Sequence, residues 1–135
     1  MSKTFLLEIV ASDREFYKGA CEHLVFYGID GEYGILPNHE PMVTALLAGE
    51  IRYKIAGEWR FAAVSAGFIE IEKDYVILLA DTVELPEEID IKRAEGAKLR
   101  AQERLRQKQS IQEYYHTQAA INRAMSRLKV SKRIH

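Results

Sequence analysis

The stretch EIRYKIAGEWRFAAV, from Glu50 to Val64, decides the fold. Ile51, Tyr53 and Ile55 alternate with Arg52 and Lys54, the two-residue period of a strand with one buried face. Gly57 follows, and glycine supplies the positive φ that tight hairpins need. Gly57-Glu58 is therefore expected to turn the chain between Ile55 and Trp59. Glu58 to Val64, rich in aromatic and aliphatic residues, reads as the returning strand.

The same character extends in both directions. TFLLEIV (Thr4 to Val10), EHLVFYG (Glu22 to Gly28), FIEIE (Phe68 to Glu72) and YVILLA (Tyr75 to Ala80) are further strand candidates, with Lys73-Asp74 as a second turn. EYGILPNHEPM, from Glu32 to Met42, breaks the pattern and reads as a shaped loop. Pro37 and Pro41 fix φ and remove backbone donors, Gly31 and Gly34 permit unusual conformations, and Asn38 and His39 can bond neighbouring backbone. Many short strands without intervening helices predict a mainly β N-terminal sandwich or barrel over residues 1–84.

Beyond residue 84 the chain changes. VELPEEID (Val83 to Asp90) is acidic, holds Pro86 and ends the strands, so residues 85–90 read as a linker. Asp90 suits an N-cap. Ile91 to Lys108 consists mostly of strong helix formers. Gly96 is the exception, costing about 1 kcal/mol relative to alanine and leaving room for close helix approach. SIQE (Ser110 to Glu113) matches a capping box for a second helix running to Lys129. Ala94, Ala97, Ala101 and Leu105 form the expected apolar stripe of the first helix. Ile111, Tyr115, Ala119 (or Gln118), Met125 and Leu128 form that of the second, less cleanly. Residues 91–135 are thus expected to form a C-terminal antiparallel α-helical hairpin, with little apolar area to hold one arrangement.

With 135 residues and 47% apolar composition the chain can bury a core. No run approaches the ~20 apolar residues of a spanning helix, and no secretory signal pattern is evident, so a soluble, cytosol-facing protein is expected. The single cysteine, Cys21, excludes an intramolecular disulfide and reads as a plain packing or surface residue. The net charge of −1 conceals a division. Residues 1–88 carry 7 Lys+Arg and 16 Asp+Glu, net −9; residues 89–135 carry 12 and 4, net +8. The two parts face different partners, or each other.

Enzyme chemistry finds little support. His23, His39, His116 and His135 have no metal-ligand spacing, Ser65 lacks a nucleophile elbow, and no P-loop is present. The arginines carry more. Arg93 and Arg100 are two turns apart on one helix face, and Arg123 and Arg127 are one turn apart on the other helix. In an antiparallel hairpin the four converge, and guanidinium forks grip phosphate. Asp90 or Glu84 can accept from an amine or ribose hydroxyl. A solvated basic face fits the same spacing. So does a phosphate-backbone patch of Arg123, Arg127, Lys129, Lys132 and Arg133, although the acidic body opposes nucleic acid. An acidic protein partner is the third option.

GEYGILPNHEPMVTAL (Gly31 to Leu46), VSAGFIEI (Val64 to Ile71), LADTVE (Leu79 to Glu84), IDIKRAEGAKLRA (Ile89 to Ala101) and RAMSRLKVSKR (Arg123 to Arg133) resemble, in order and from end to end, the epsilon subunits of F-type ATP synthases. Glu40, Met42 and Ala66 depart from the usual residues of that family. The resemblance implies a non-catalytic subunit that couples the gamma subunit to the ring of c subunits. Its hairpin either folds beside the sandwich or extends towards the alpha and beta subunits and inhibits ATP hydrolysis, where its basic residues meet acidic beta. It implies ATP as a regulatory ligand, with no required cofactor, held by Glu84, Ile89, Asp90, Arg93, Arg100, Arg123 and Arg127. It also implies a peripheral place, through the complex, on the cytoplasmic face of a bacterial plasma membrane rather than a thylakoid. A stand-alone nucleotide-binding module and a basic-helix adaptor for an acidic partner or nucleic acid are the alternatives.

Overall fold

A computed structural model describes residues 3–106 and 111–133 of the chain. The strands are β1 (Phe5–Ala11), β2 (Arg14–Cys21), β3 (His23–Gly28), β4 (Gly31–Ile35), β5 (Met42–Leu46), β6 (Gly49–Ile55), β7 (Glu58–Val64), β8 (Gly67–Ile71), β9 (Tyr75–Ala80) and β10 (Val83–Glu84). They form two five-stranded sheets, ordered β2-β1-β9-β8-β5 and β10-β7-β6-β3-β4. All pairings are antiparallel except β1 with β9. Leu7 and Ile9 of β1, Ile69 of β8 and Leu78 of β9 meet Leu24, Phe26, Ile51 and Tyr53 of the other sheet in one core. Cys21 is fully buried in that core, and burial pushes its thiol pKa up, away from reactivity.

The alternation read in Glu50–Val64 is built as β6 and β7. Ile51 and Tyr53 point into the core, while Arg52 and Lys54 sit on the outer face. The turn differs from the expected one by a residue. Ile55 pairs with Glu58, so the loop is Ala56-Gly57. Both residues have positive φ, 50° and 81°, as a type I′ turn requires. Gly57 fills the second left-handed place, not the first, and Ala56 occupies the other against its preference.

Four strands were not expected: β2, β4, β5 and β10. They are the four sheet edges. An edge strand pairs on one side and is less covered, so its alternation is weak; β2 has only Cys21 fully buried. EYGILPNHEPM accordingly divides, its ends joining β4 and β5 and its middle forming the loop. There Asn38 takes φ 66°, and His39 Nδ1 donates to the Glu40 carbonyl at 2.8 Å. His39 braces a corner.

Residues 85–90, read as the linker, are tied down. Pro86–Glu88 form a 3-10 turn with Pro86 buried. The Glu88 carboxylate accepts from the Leu85 backbone N–H at 2.9 Å and from Arg14 of β2 at 3.1 Å. These bonds, the backbone one foremost, hold its pKa below the usual carboxylate range. Asp90 then caps α1 (Ile91–Leu105), its Oδ1 accepting from the Arg93 backbone N–H at 3.0 Å. The expected continuation to Lys108, and Ser110 of the capping box, lie outside the described residues.

α2 (Ile111–Ser131) packs on α1 and lies against β6 and β7. The C-terminal end of α2 sits by the start of α1: Val130 is buried with Ile89 and Ala63. The helices are therefore antiparallel, and the hairpin is folded down on the second sheet. On α1 the expected stripe holds, with Ala94 and Ala101 buried. On α2 it does not. Tyr115, Ala119 and Met125 are exposed, and the buried line is Thr117, Ile121 and Ala124. Thr117 serves as an apolar residue there because its hydroxyl donates to the Glu113 carbonyl at 2.9 Å. The Ile111 side chain lies outside the described residues. Among the described residues no helix is long and apolar enough to cross a membrane.

Replacing Ala56 by Asn gives the Asn-Gly pair that this turn favours. Relief of the left-handed alanine should raise stability by about 1 kcal/mol, read as a higher urea midpoint at unchanged slope. A lowered midpoint would show that Ala56 carries no such strain.

Candidate functional site

The site lies where α2 meets the edge of the second sheet. β10 and β7 present Glu84, Ala63, Val64 and Ser65; α2 presents Arg123, Ser126 and Arg127. With Ala48 and Thr82 these residues line one cavity of about 40 Å³. Arg127 reaches across the junction to Glu84, Nη2 to Oε2 at 2.9 Å, with both side chains more than two-thirds buried. Its Nε is buried without a hydrogen-bond partner. A guanidinium with an unused donor, beside a second arginine and two serines, is a donor set that suits a polyphosphate. The enclosed volume suits water instead. A nucleotide would need the more exposed surface around Arg123.

The seven expected residues are thus only partly assembled. Glu84, Arg123 and Arg127 share the cavity. Ile89 is buried under Val130, and Asp90 is committed to the α1 cap. Arg93 and Arg100 are exposed on α1 and do not line that cavity. Gly96 does not mark the expected close helix approach. A methyl group there would meet only the movable end of the Arg100 side chain, Nη1 at 3.1 Å, and no described atom of α2 within 4 Å.

A second contact was not legible in the sequence. Glu50 starts the outward-facing set that continues with Arg52 and Lys54, yet its side chain is only 3% exposed. Arg133, past the end of α2, grips it with two bonds, Nε to Oε2 at 2.9 Å and Nη2 to Oε1 at 2.8 Å. Lys129 Nζ stands 3.9 Å from the same carboxylate. The Arg133 guanidinium lies 4.3 Å above the Phe61 ring, and Lys129 Nζ 5.9 Å above Tyr27. The Glu50 bonds raise the Arg133 pKa. Removing one partner of a fully buried pair costs about 3–5 kcal/mol; Arg133 remains 36% exposed, so the cost here is smaller.

These contacts bear on the charge division. Arg127, Lys129 and Arg133 each face a carboxylate of the acidic sandwich. Three of the five cations available to a nucleic-acid patch therefore lie beside a sandwich carboxylate, Lys129 while still half exposed.

Comparison with known proteins covers both parts of the chain. Residues 4–86 match the family described as ATP synthase, Delta/Epsilon chain, beta-sandwich domain; residues 87–132 match its long alpha-helix domain. The ATP synthase epsilon chain of Ruminiclostridium cellulolyticum is 46% identical over 130 residues, 96% of this chain and 97% of the relative. That of Caldanaerobacter subterraneus subsp. tengcongensis is 45% identical over 134 residues, 98% and 97%. Among solved structures, a chain of the Euglena gracilis mitochondrial ATP synthase OSCP/F1/c-ring assembly superposes with a TM-score of 0.75 at 18% identity. It aligns with 99% of this chain and 81% of its own. A chain of the Tetrahymena thermophila mitochondrial central stalk and c-ring gives 0.72 at 9% identity, covering 96% and 97%. At those identities the likeness is one of fold.

Proposed function

The chain belongs to the delta/epsilon family of ATP synthase subunits, and from that membership we propose that it is a non-catalytic subunit of the central stalk. In this reading the sandwich joins the gamma subunit and the c-ring. The complex is peripheral on the cytoplasmic face of a bacterial plasma membrane. The hairpin regulates ATP hydrolysis and senses ATP, and in its extended form it reaches the alpha and beta subunits.

The docking reading draws on the outer face of the first sheet. Val43, Phe68 and Leu79 stand on three adjacent strands and remain exposed, with Leu6 and Tyr75 further along β1 and β9. An apolar surface of this breadth fits a protein partner.

The sensing reading rests on one observation: Glu84 of the sandwich and Arg123 and Arg127 of the hairpin meet in one cavity. A polyphosphate bound over the mouth of that cavity, on the more exposed surface around Arg123, is held by both parts at once. Such a ligand binds the folded form and not the extended one. It stabilises the folded form by RT ln(1 + [ATP]/Kd), about 2.7 kcal/mol at a hundredfold excess over Kd. The buried faces of α1 and α2 are made of Ala94, Ala101, Thr117, Ile121 and Ala124, a thin contact. Two hairpin positions then lie close enough in free energy for that amount to choose between them. High ATP keeps the hairpin down and hydrolysis uninhibited; low ATP releases it.

Two outcomes follow. The double variant Arg123→Ala, Arg127→Ala should weaken ATP binding by at least about tenfold in calorimetry on the full chain; absence of binding by the parent at millimolar ATP would defeat the sensing reading. Phe68→Glu should reduce capture of the gamma subunit by about tenfold or more with the hairpin undisturbed. Undiminished capture would move docking to another face.

A further inference from the structure

Glu50 is the most deeply buried carboxylate of the described chain, and nothing within the sandwich neutralises it: its partners come from the far end of the sequence. We propose that Glu50, framed by Phe61 and Tyr27, is a socket for the cationic end of α2 and that Arg133 is the plug that sets the folded position of the hairpin. The assignment is distinct from the nucleotide cavity. Its residues are Glu50, Phe61, Tyr27, Lys129 and Arg133, none of which lines the cavity around Arg127.

The geometry explains why a weak hairpin has a defined place. α2 offers the sheet little apolar surface; Val130 against Ala63 and Ile89 is the buried cluster at this contact. The two parallel bonds of Arg133 add direction, because a planar guanidinium and a planar carboxylate match in one orientation. The Phe61 ring under the guanidinium at 4.3 Å fixes the plane further. Glu50 sits opposite Ala63 in the β6–β7 register, so the carboxylate and the apolar contact for Val130 are adjacent on the sheet. α2 is therefore held at one residue pair in position and one in rotation. When the hairpin lifts, the carboxylate regains water and the end of α2 becomes a free cation for an acidic partner. The consequence for regulation rests on the proposed function; the socket itself does not.

The test is a distance measurement on the full chain without nucleotide. Cysteines replace exposed Glu70 on β8 and exposed Ala119 on α2, and carry spin labels; buried Cys21 stays unlabelled. Glu50→Gln and Arg133→Gln should each raise the ratio of long to short distances about tenfold or more, and the double variant should add little beyond either. Unchanged distances in both single variants, or fully additive effects, would overturn the proposal. Near-ultraviolet dichroism of Trp59 reports sandwich folding. If Glu50→Gln does not fold, Arg133→Gln decides alone, since Arg133 lies outside both sheets. Adding ATP to Glu50→Gln separates the two ideas. A lifted population in that variant that millimolar ATP does not lower defeats the nucleotide reading and leaves the socket standing.

Discussion

The contact between the guanidinium of Arg133 and the buried carboxylate of Glu50 governs how the two halves of this molecule relate. The sandwich needs no help; its two sheets bury each other's apolar faces in a continuous core. The hairpin is different. Among the described residues its buried positions are Ala94, Ala101, Thr117, Ile121, Ala124, Val130 and Ser131, of which only Ile121 and Val130 are sizeable apolar side chains, so packing alone supplies modest free energy. What positions it is charge. Arg127 meets Glu84, and Lys129 and Arg133 meet Glu50, all across the junction. The division of −9 and +8 along the sequence is in part neutralised by the fold itself.

Ionic fastening is compatible with the two hairpin positions of the proposed function. A large apolar interface has no comparable alternative partner. A charged one can exchange a carboxylate of the sandwich for an acidic surface elsewhere with less net loss. The same feature suits control by an anion. Arg127 already spends one nitrogen on Glu84 and its Nε is buried, so on the proposed reading a phosphate arriving at the junction meets the more exposed Arg123 first. The hinge segment is firmly seated by Arg14, Glu88 and Pro86.

How much of this the sequence disclosed follows from burial. The central strands alternate clearly because both neighbours and the opposite sheet impose it, and β1, β3, β6, β7, β8 and β9 were all legible. The edges β2, β4, β5 and β10 were not, because an edge is half solvated and tolerates mixed residues. Asp90 was legible as a cap from local chemistry alone. The α2 face was misjudged because counting large apolar residues favours Tyr115 and Met125, while the real face uses Thr117 with its hydroxyl satisfied locally. Glu50 was invisible for another reason: its partner is 83 residues away, and no local pattern announces such a contact. Among the arginines, Arg123 and Arg127 could be grouped from helical spacing; that Arg127 faces Glu84 required the packing of α2 on β6 and β7.

Amide hydrogen exchange along α2 of the full chain, followed as ATP is added, tests the central claim most directly. If the folded hairpin is one of two nearby states and a polyphosphate bridges it to the sandwich, exchange from Ile121 to Ser131 should slow saturably with ATP, while the core strands stay unchanged. Exchange on α2 that is indifferent to millimolar ATP would contradict the account.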